Sequence, residues 1–316
     1  GGRRMIVTAH TYMKQVQRLL REQRQELNNP EDLLSYINLA RREVAGRTQC
    51  IRRLTPITGQ VISAEVTAPG SGYVNPVATI SVPDFPSGLA PNPNGLQATA
   101  AVQMMGGVVT DVVITNGGDG YFEPLIIISD SSGHGMGATA SLNISPVNTL
   151  NAGQEVYAFS DIYLGNWPGV DSVLMIKGVS IIYTNYRYSL PCYAFSVYQA
   201  MIRQFPFQYQ YVPSFCSQFG QGVGGSFYVY PLPSQTYQWE FDCFCLPSEM
   251  LIDNSVPEAI PQPWTDAVQY MAAQLAFQEL GNFNAARYYE MQFDKMTLGY
   301  SGQSRPGRVA NPYGRW

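Results

Sequence analysis

One pattern occurs twice in the middle of this chain, and it fixes what that part can become. Residues 61–80 read Val61-Ile62-Ser63-Ala64-Glu65-Val66-Thr67-Ala68, then Pro69, Gly70-Ser71-Gly72-Tyr73, Pro76 and Val77-Ala78-Thr79-Ile80. Residues 109–128 read Val109-Thr110-Asp111-Val112-Val113-Ile114-Thr115, then Gly117-Gly118-Asp119-Gly120-Tyr121, Pro124 and Leu125-Ile126-Ile127-Ile128. Each copy is a strand, a Gly-x-Gly-Tyr turn, a proline and a second strand. Gly70, Gly72, Gly118 and Gly120 permit the positive φ that such a turn needs. The rings of Tyr73 and Tyr121 are placed to pack across it. A third strand is expected around Ala98-Thr99-Ala100 and again around Ala138-Thr139-Ala140. Residues 57–148 therefore predict a small all-β module with internal pseudo-symmetry. The glycine turns do not read as phosphate loops, because a strand follows each, not a helix with a lysine.

Charge divides the chain. Between residues 55 and 176 there is no lysine or arginine, so this stretch cannot grip a phosphate backbone. Residues 1–55 hold 11 Arg/Lys against 5 Asp/Glu. Any nucleic-acid contact must come from the ends, and Arg18, Arg21, Arg24, Arg41 and Arg42 are the candidates to face a DNA channel or a partner. Charged residues make up only 13% of the whole, which suits a protein that covers much of its surface with neighbours.

Helical periodicity brackets the β-rich middle. Residues 10–53 predict two helices. The first uses Tyr12, Val16, Leu19 and Leu20, with Leu27 further on. The second opens at Asn29-Pro30-Glu31-Asp32, runs its apolar face through Leu33, Leu34, Ile37, Leu39, Ala40 and Val44, and ends near Gly46. Residues 261–298 predict a helical pair. Its first helix buries Val268, Met271, Ala272, Leu275, Ala276 and Leu280. Gly281-Asn282 forms the turn, and the second helix packs through Ala285, Tyr288, Tyr289, Met291 and Phe293. Between these ends, residues 194–205 read as a helix, and residues 227–231 and 237–243 as a strand pair. The aromatic stretch 205–219 reads as a loop that packs on a neighbour.

The closing residues 299–316 have glycine, proline and arginine but almost no aliphatic side chains, and are expected to hang free of the core. They carry Arg305, Arg308, Tyr313, Arg315 and Trp316, residue types that anchor protein–protein contacts. A free tail with such anchors predicts docking on a partner.

No catalytic constellation emerges. His10 and His134 are the only histidines. Neither accompanies a nucleophile motif, and GxSxG and HExxH are missing. Asp253, Glu258 and Asp266 flank prolines and read as capping and solvated carboxylates. Two carboxylates would suffice for a glycosidase, and sequence alone does not place them in space. The five cysteines show no CxxC. Cys243 and Cys245 alternate on a strand as small core residues of a protein made in a reducing cytoplasm. No metal, no cofactor, no membrane span and no signal peptide are expected.

Three segments resemble bacteriophage head-to-tail adaptor (connector) proteins. Residues 29–44 resemble the N-terminal helical hairpin. Residues 261–273, from Pro261-Gln262-Pro263-Trp264, together with Asn284-Ala285-Ala286-Arg287, resemble the C-terminal helical pair. Residues 304–313, Ser304-Arg305-Pro306-Gly307-Arg308-Val309-Ala310-Asn311-Pro312-Tyr313, resemble the extended tail of podovirus-type adaptors. The Gly-x-Gly-Tyr repeat is similar to modules of phage tail and baseplate proteins. The resemblance implies an α+β fold: helices from both chain ends (1–56 and part of 149–298), a β-rich centre, the repeat at 57–148 as an insertion, and a portal-docking tail at 299–316. It also implies a non-enzymatic virion protein of the neck, made in the bacterial host cytoplasm. Such a protein assembles as a dodecameric ring between the portal and the tail nozzle or fibres, through which DNA passes without sequence recognition. A tail-fibre or tailspike protein that binds receptors or glycans is the rival reading.

Overall fold

The structure is a computed structural model and describes residues 7–20, 29–84, 96–165, 167–183, 186–204, 210–252 and 257–304. The fold is α+β. The helices are α1 (Ala9–Leu19), α2 (Pro30–Thr48), α3 (Phe195–Arg203), α4 (Thr265–Glu279) and α5 (Phe283–Ser304). The strands are β1 (Arg52–Leu54), β2 (Val61–Ser71), β3 (Pro76–Ile80), β4 (Thr99–Met105), β5 (Val108–Asn116), β6 (Ile126–Asp130), β7 (Met136–Ile144), β8 (Thr149–Leu150), β9 (Val156–Ala158), β10 (Val170–Tyr183), β11 (Tyr186–Leu190), β12 (Cys192–Tyr193), β13 (Gln210–Tyr211), β14 (Phe215–Phe219), β15 (Ser226–Tyr230), β16 (Leu232–Pro233) and β17 (Tyr237–Pro247).

Local signals account for the helix ends. Thr8 and Thr11 form a capping box at α1. Asn29 accepts from the Glu31 N–H, with Pro30 in the first turn of α2, an arrangement that supplies an acceptor to otherwise orphaned N–H groups. The second helix does not stop at Gly46. It continues to Thr48, and Gln49 closes it in the left-handed region at φ 52 while its N–H donates to the Ala45 carbonyl. Gly281, at φ 71, turns the chain between α4 and α5, and the Asn282 side chain then accepts from the Ala285 N–H. The last helix runs past 298 to Ser304. Helix α4 is the hub, in contact with α1, α2 and α5.

A sheet ordered β1-β17-β10-β11, with β8 also on β17, lies under these helices. A second sheet, β12-β14-β15-β9, packs against the first. The expected pairing of 227–231 with 237–243 does not occur. Instead β15 bonds to β14 and β9, and β17 bonds to β10 on one edge and to β1 and β8 on the other. The two segments meet face to face. The Phe227 ring lies 5.3 Å from Trp239 and 5.5 Å from Phe241, which explains why both read as strongly apolar. Strand β14 lies within the stretch expected as a loop.

Cys243 and Cys245 are buried on one face of β17. A disulfide joins Cys192 to Cys216. It arises because β12 and β14 run parallel with these two residues in register, their Cα atoms 4.6 Å apart, within bridging range.

The repeats form a β module whose pairing is reciprocal. Strand β2 of the first copy bonds to β7 of the second, β5 of the second bonds to β4 of the first, and the middle strands β3 and β6 bond to each other. Glu65 pairs with Ser141, and their counterparts Val113 and Ala101 pair likewise. Thr79 pairs with its own counterpart Ile127. Each turn tyrosine reaches into the other copy. The Tyr73 hydroxyl accepts from the Ala138 N–H at 3.0 Å, and the Tyr121 hydroxyl from the Ala98 N–H at 2.8 Å. All four turn glycines of the repeats, Gly70, Gly72, Gly118 and Gly120, have positive φ.

Asp130 closes one turn by accepting from the backbone N–H groups of Val74, Asn75, Ser132 and Gly135 and from the Ser132 hydroxyl. These bonds, the Ser132 hydroxyl first, hold its pKa below the ordinary 3.8. A depressed carboxylate pKa contributes stability that is present above the ordinary value and fades as pH falls below it. The wild-type module should therefore lose more melting temperature between pH 6 and pH 3 than Asp130→Asn does, measured by scanning calorimetry. Equal losses would contradict this.

Candidate assembly interface

Helical period sets which basic side chains of the first two helices reach solvent. Arg41 lies in line with Ile37 and Val44 on the buried face of α2, and its side chain is 2% exposed. It donates from Nε and Nη2 to Glu258 Oε2 and Oε1 at 2.9 and 2.8 Å, and from Nη1 to the Ser248 carbonyl at 2.6 Å. Glu258 also accepts from the Ile260 N–H at 3.1 Å. Beside it, Asn38 donates to the Met250 carbonyl and accepts from the Met250 N–H. Helix α2 thus clasps the segment that leads from β17 towards α4. Burial, with Glu258 close by, pushes the pKa of the Tyr12 hydroxyl up.

Two expectations are corrected here. Arg41 cannot face a channel or a portal, because its guanidinium is enclosed and fully engaged. Glu258 does not cap or solvate; it is the buried counter-ion. The signal for Arg41 was present in its spacing from Ile37 and Val44. No local signal pointed to Glu258, whose partner lies more than 200 residues away in sequence.

The other basic residues are distributed differently. Arg18 is exposed in the last turn of α1. Arg42 is exposed and pairs with Glu249 at 2.7 Å. Arg47 bonds to Glu43 and Asp294 and lies 5.2 Å over the Phe293 ring, which ties α2 to α5. Arg21 and Arg24 fall outside the described residues, as do Asp253, Arg305, Arg308, Tyr313, Arg315 and Trp316.

The outer face of α5 is mixed, with Arg287, Glu290 and Lys295 exposed among apolar side chains. Ala286 and Phe293 are buried against α4 and the core, but Tyr288, Met291 and Leu298 are exposed, contrary to the packing expected for Tyr288 and Met291. Helical spacing puts these three on one stripe. Leu39 of α2 is likewise exposed. Beside Leu298 a groove of about 370 Å³ is lined by Arg47, Thr48, Asp294 and Thr297. The exposed side of α5 thus mixes Tyr288, Met291 and Leu298 with Arg287 and Lys295.

Chemistry has no comparable focus. His10 lies on α1 and His134 in the turn before β7, both exposed. Among the described residues no group of three or more His, Cys, Asp or Glu could hold a metal ion. No described helix is long and apolar enough to cross a membrane.

The family model described as SU10 adaptor protein matches residues 143–312. That is more than half of the chain. The chain belongs to the SU10 adaptor protein family. It is a bacteriophage adaptor and a virion component that associates with other virion proteins. No curated protein matches the chain. The match begins where the last strand of the β module ends. It takes in β8 to β17, α3, α4 and α5, and so contains Glu258 but not Arg41. In the folded adaptor, α1, α2 and Ile51 complete the core of the matched segment.

Proposed function

We propose that this adaptor is a head-to-tail connector of podovirus type. It forms a dodecameric ring that joins the portal to the tail nozzle or fibres and lets DNA pass, and its role is structural, not enzymatic. The observation that carries this reading is the family match, which runs through the helical pair and into the tail. Ring closure needs two different surfaces on each subunit, and the exposed Tyr288 and Met291 of α5 suit one of them. The tail beyond Ser304 supplies Arg305, Arg308, Tyr313, Arg315 and Trp316 for the portal. Arg18 and Arg42 are the described basic residues left to face the channel or the portal rim.

Native mass spectrometry of the chain mixed with its candidate portal ring tests this. Twelve copies added to one portal is the expected result. No complex, with the chain alone as a trimer, would replace the connector by the tailspike reading. Deleting residues 305–316, which begin after α5, should abolish portal binding and leave the circular dichroism spectrum unchanged. Unchanged binding would remove the tail from the interface.

The β module reads as an insertion, for a topological reason. Strands β1 and β8 sit on the same edge of β17, Leu54 opposite Asp242 and Thr149 opposite Gln238. Along an extended strand these points are about 13 Å apart. No hydrophobic side chain between Arg52 and Thr149 belongs to the main core; Thr55, Ile57 and Asn148, at the two junctions, hydrogen-bond to it. Replacing residues 57–148 by a short Gly/Ser linker should therefore spare ring assembly on the portal, scored by the same mass measurement. Loss of the ring would make the module part of the subunit interface.

A further inference from the structure

The three ribbons of the β module differ in what they turn outward. On β2–β7 the outward residues include Glu65, Thr67, Thr139 and Ser141, and the Thr67 and Thr139 hydroxyls bond at 2.7 Å. On β4–β5 they include Thr99, Gln103, Asp111 and Thr115, with the counterpart hydroxyl pair Thr99–Thr115 also at 2.7 Å. The middle ribbon turns more aliphatic surface outward. Its inward residues Ala78, Ile80, Ile126 and Ile128 pack in the module's own cores. Its outward side carries Val77 opposite Ser129 and Thr79 opposite Ile127, with Val82 and Leu125 at its ends. Ile127 is 69% exposed and Leu125 70%.

An antiparallel ribbon with one wet face normally alternates apolar and polar residues, whereas an unbroken aliphatic run such as 125–128 belongs to a strand covered on both faces. The other two ribbons expose Ile62 and Met136 at opposite ends of β2–β7, and Met104, Met105 and Val113 on β4–β5, beside their polar residues. A contiguous exposed patch of this kind marks an interaction site.

The rim identifies the occupant. Residues 57–148 hold six carboxylates and no lysine or arginine. Two of them, Asp84 and Glu123, lie near Val82 and Leu125 at one end of this face, with the Asp84 carboxylate accepting from the Phe122 and Glu123 N–H groups. A second copy of this face would set like charge against like. A basic partner would be complementary, and complementarity of this sort governs encounter and selects partners.

We propose that the outward face of the β3–β6 ribbon is a docking site for a different virion protein, one that presents aliphatic side chains bordered by lysine or arginine. The proposal rests on the reading that the chain is assembled into the particle as an adaptor.

The test uses the full chain in assembled particles, with photoreactive benzoylphenylalanine at Ile127 and, as a control on the β2–β7 ribbon, at Glu65. Cross-linked peptides are identified by mass spectrometry, and incorporation is scored separately as adaptor copies per portal. The expected result is a cross-link from position 127 to another virion protein, at a peptide containing lysine or arginine, about tenfold above that from position 65. The same link, followed from position 77, should fall about tenfold in Ile127→Asp particles. Incorporated adaptor that links only to its own copies, to an acidic peptide, or no more than position 65 does would overturn the docking site. Adaptor absent from the particle would overturn the connector reading, and this proposal with it.

Discussion

Arg41→Ala should destabilise the folded adaptor by about 3–5 kcal/mol, the loss expected when one partner of a buried ion pair is removed and the other is left uncompensated. The geometry puts this residue at the upper end of single-residue effects. Its guanidinium satisfies both Glu258 oxygens and the Ser248 carbonyl, and both side chains of the pair are almost fully enclosed. A urea titration followed by tryptophan fluorescence reads the shift in midpoint. Two variants separate charge from packing. Arg41→Leu combined with Glu258→Leu should recover much of the loss, because a buried apolar pair avoids the desolvation of two ions. Arg42→Ala, which breaks the exposed pair with Glu249 one residue away, should change stability by no more than about 1 kcal/mol. A midpoint in Arg41→Ala equal to that of Arg42→Ala would contradict the arrangement.

The second large effect is expected at Gly118. Its φ is +64, and an added Cβ would lie 2.3 Å from the Leu96 carbonyl oxygen, 2.7 Å from the Ala98 nitrogen and 2.9 Å from the Tyr121 ring. Two of these neighbours are backbone and cannot swing aside. Gly118→Ala adds about 1–2 kcal/mol for the left-handed backbone and about 1–3 kcal/mol for overpacking. Gly106→Ala is the control, with a φ of +63 and nothing within 4 Å of the new methyl, so that only the backbone cost applies. Hydrogen exchange distinguishes the outcomes. Gly118→Ala should deprotect the amides of β2 to β7 while those of α4 and α5 stay protected. Uniform deprotection of the whole chain would show that the module and the main core unfold as one unit.

Much of this fold was legible because its signals are local. Asn29-Pro30 opens a helix wherever it stands, Gly281 closes one, and a Gly-x-Gly-Tyr turn between β-branched runs marks paired strands. Pairing partners are not local. Strand β17 alternates Tyr237, Trp239, Phe241, Cys243 and Cys245 with Gln238, Glu240 and Asp242, and nothing in residues 237–247 says which strands pair with it. Proximity in sequence favoured β15 as a neighbour in the same sheet, whereas Phe227 stacks on Trp239 and Phe241 from the sheet opposite. The candidate site divides along the same line. Arg41 was chosen for its charge, although its spacing from Ile37 and Val44 marked the buried face. Tyr288 and Met291 were assigned to the core for their hydrophobicity. Their exposure means that hydrophobic periodicity, read on one chain, does not distinguish residues that pack in the core from residues that stay on the surface.

The reciprocal pairing of the two repeats means that neither can close alone. A single copy places its first and third strands so that neither has a partner within that copy, and its turn tyrosine finds the N–H that donates to it only in the other copy. Such a segment closes only around a twin. The module therefore has the architecture of a symmetric dimer carried on one continuous chain, in which the residues that meet on the pseudo-axis, Thr79 and Ile127, need not be alike.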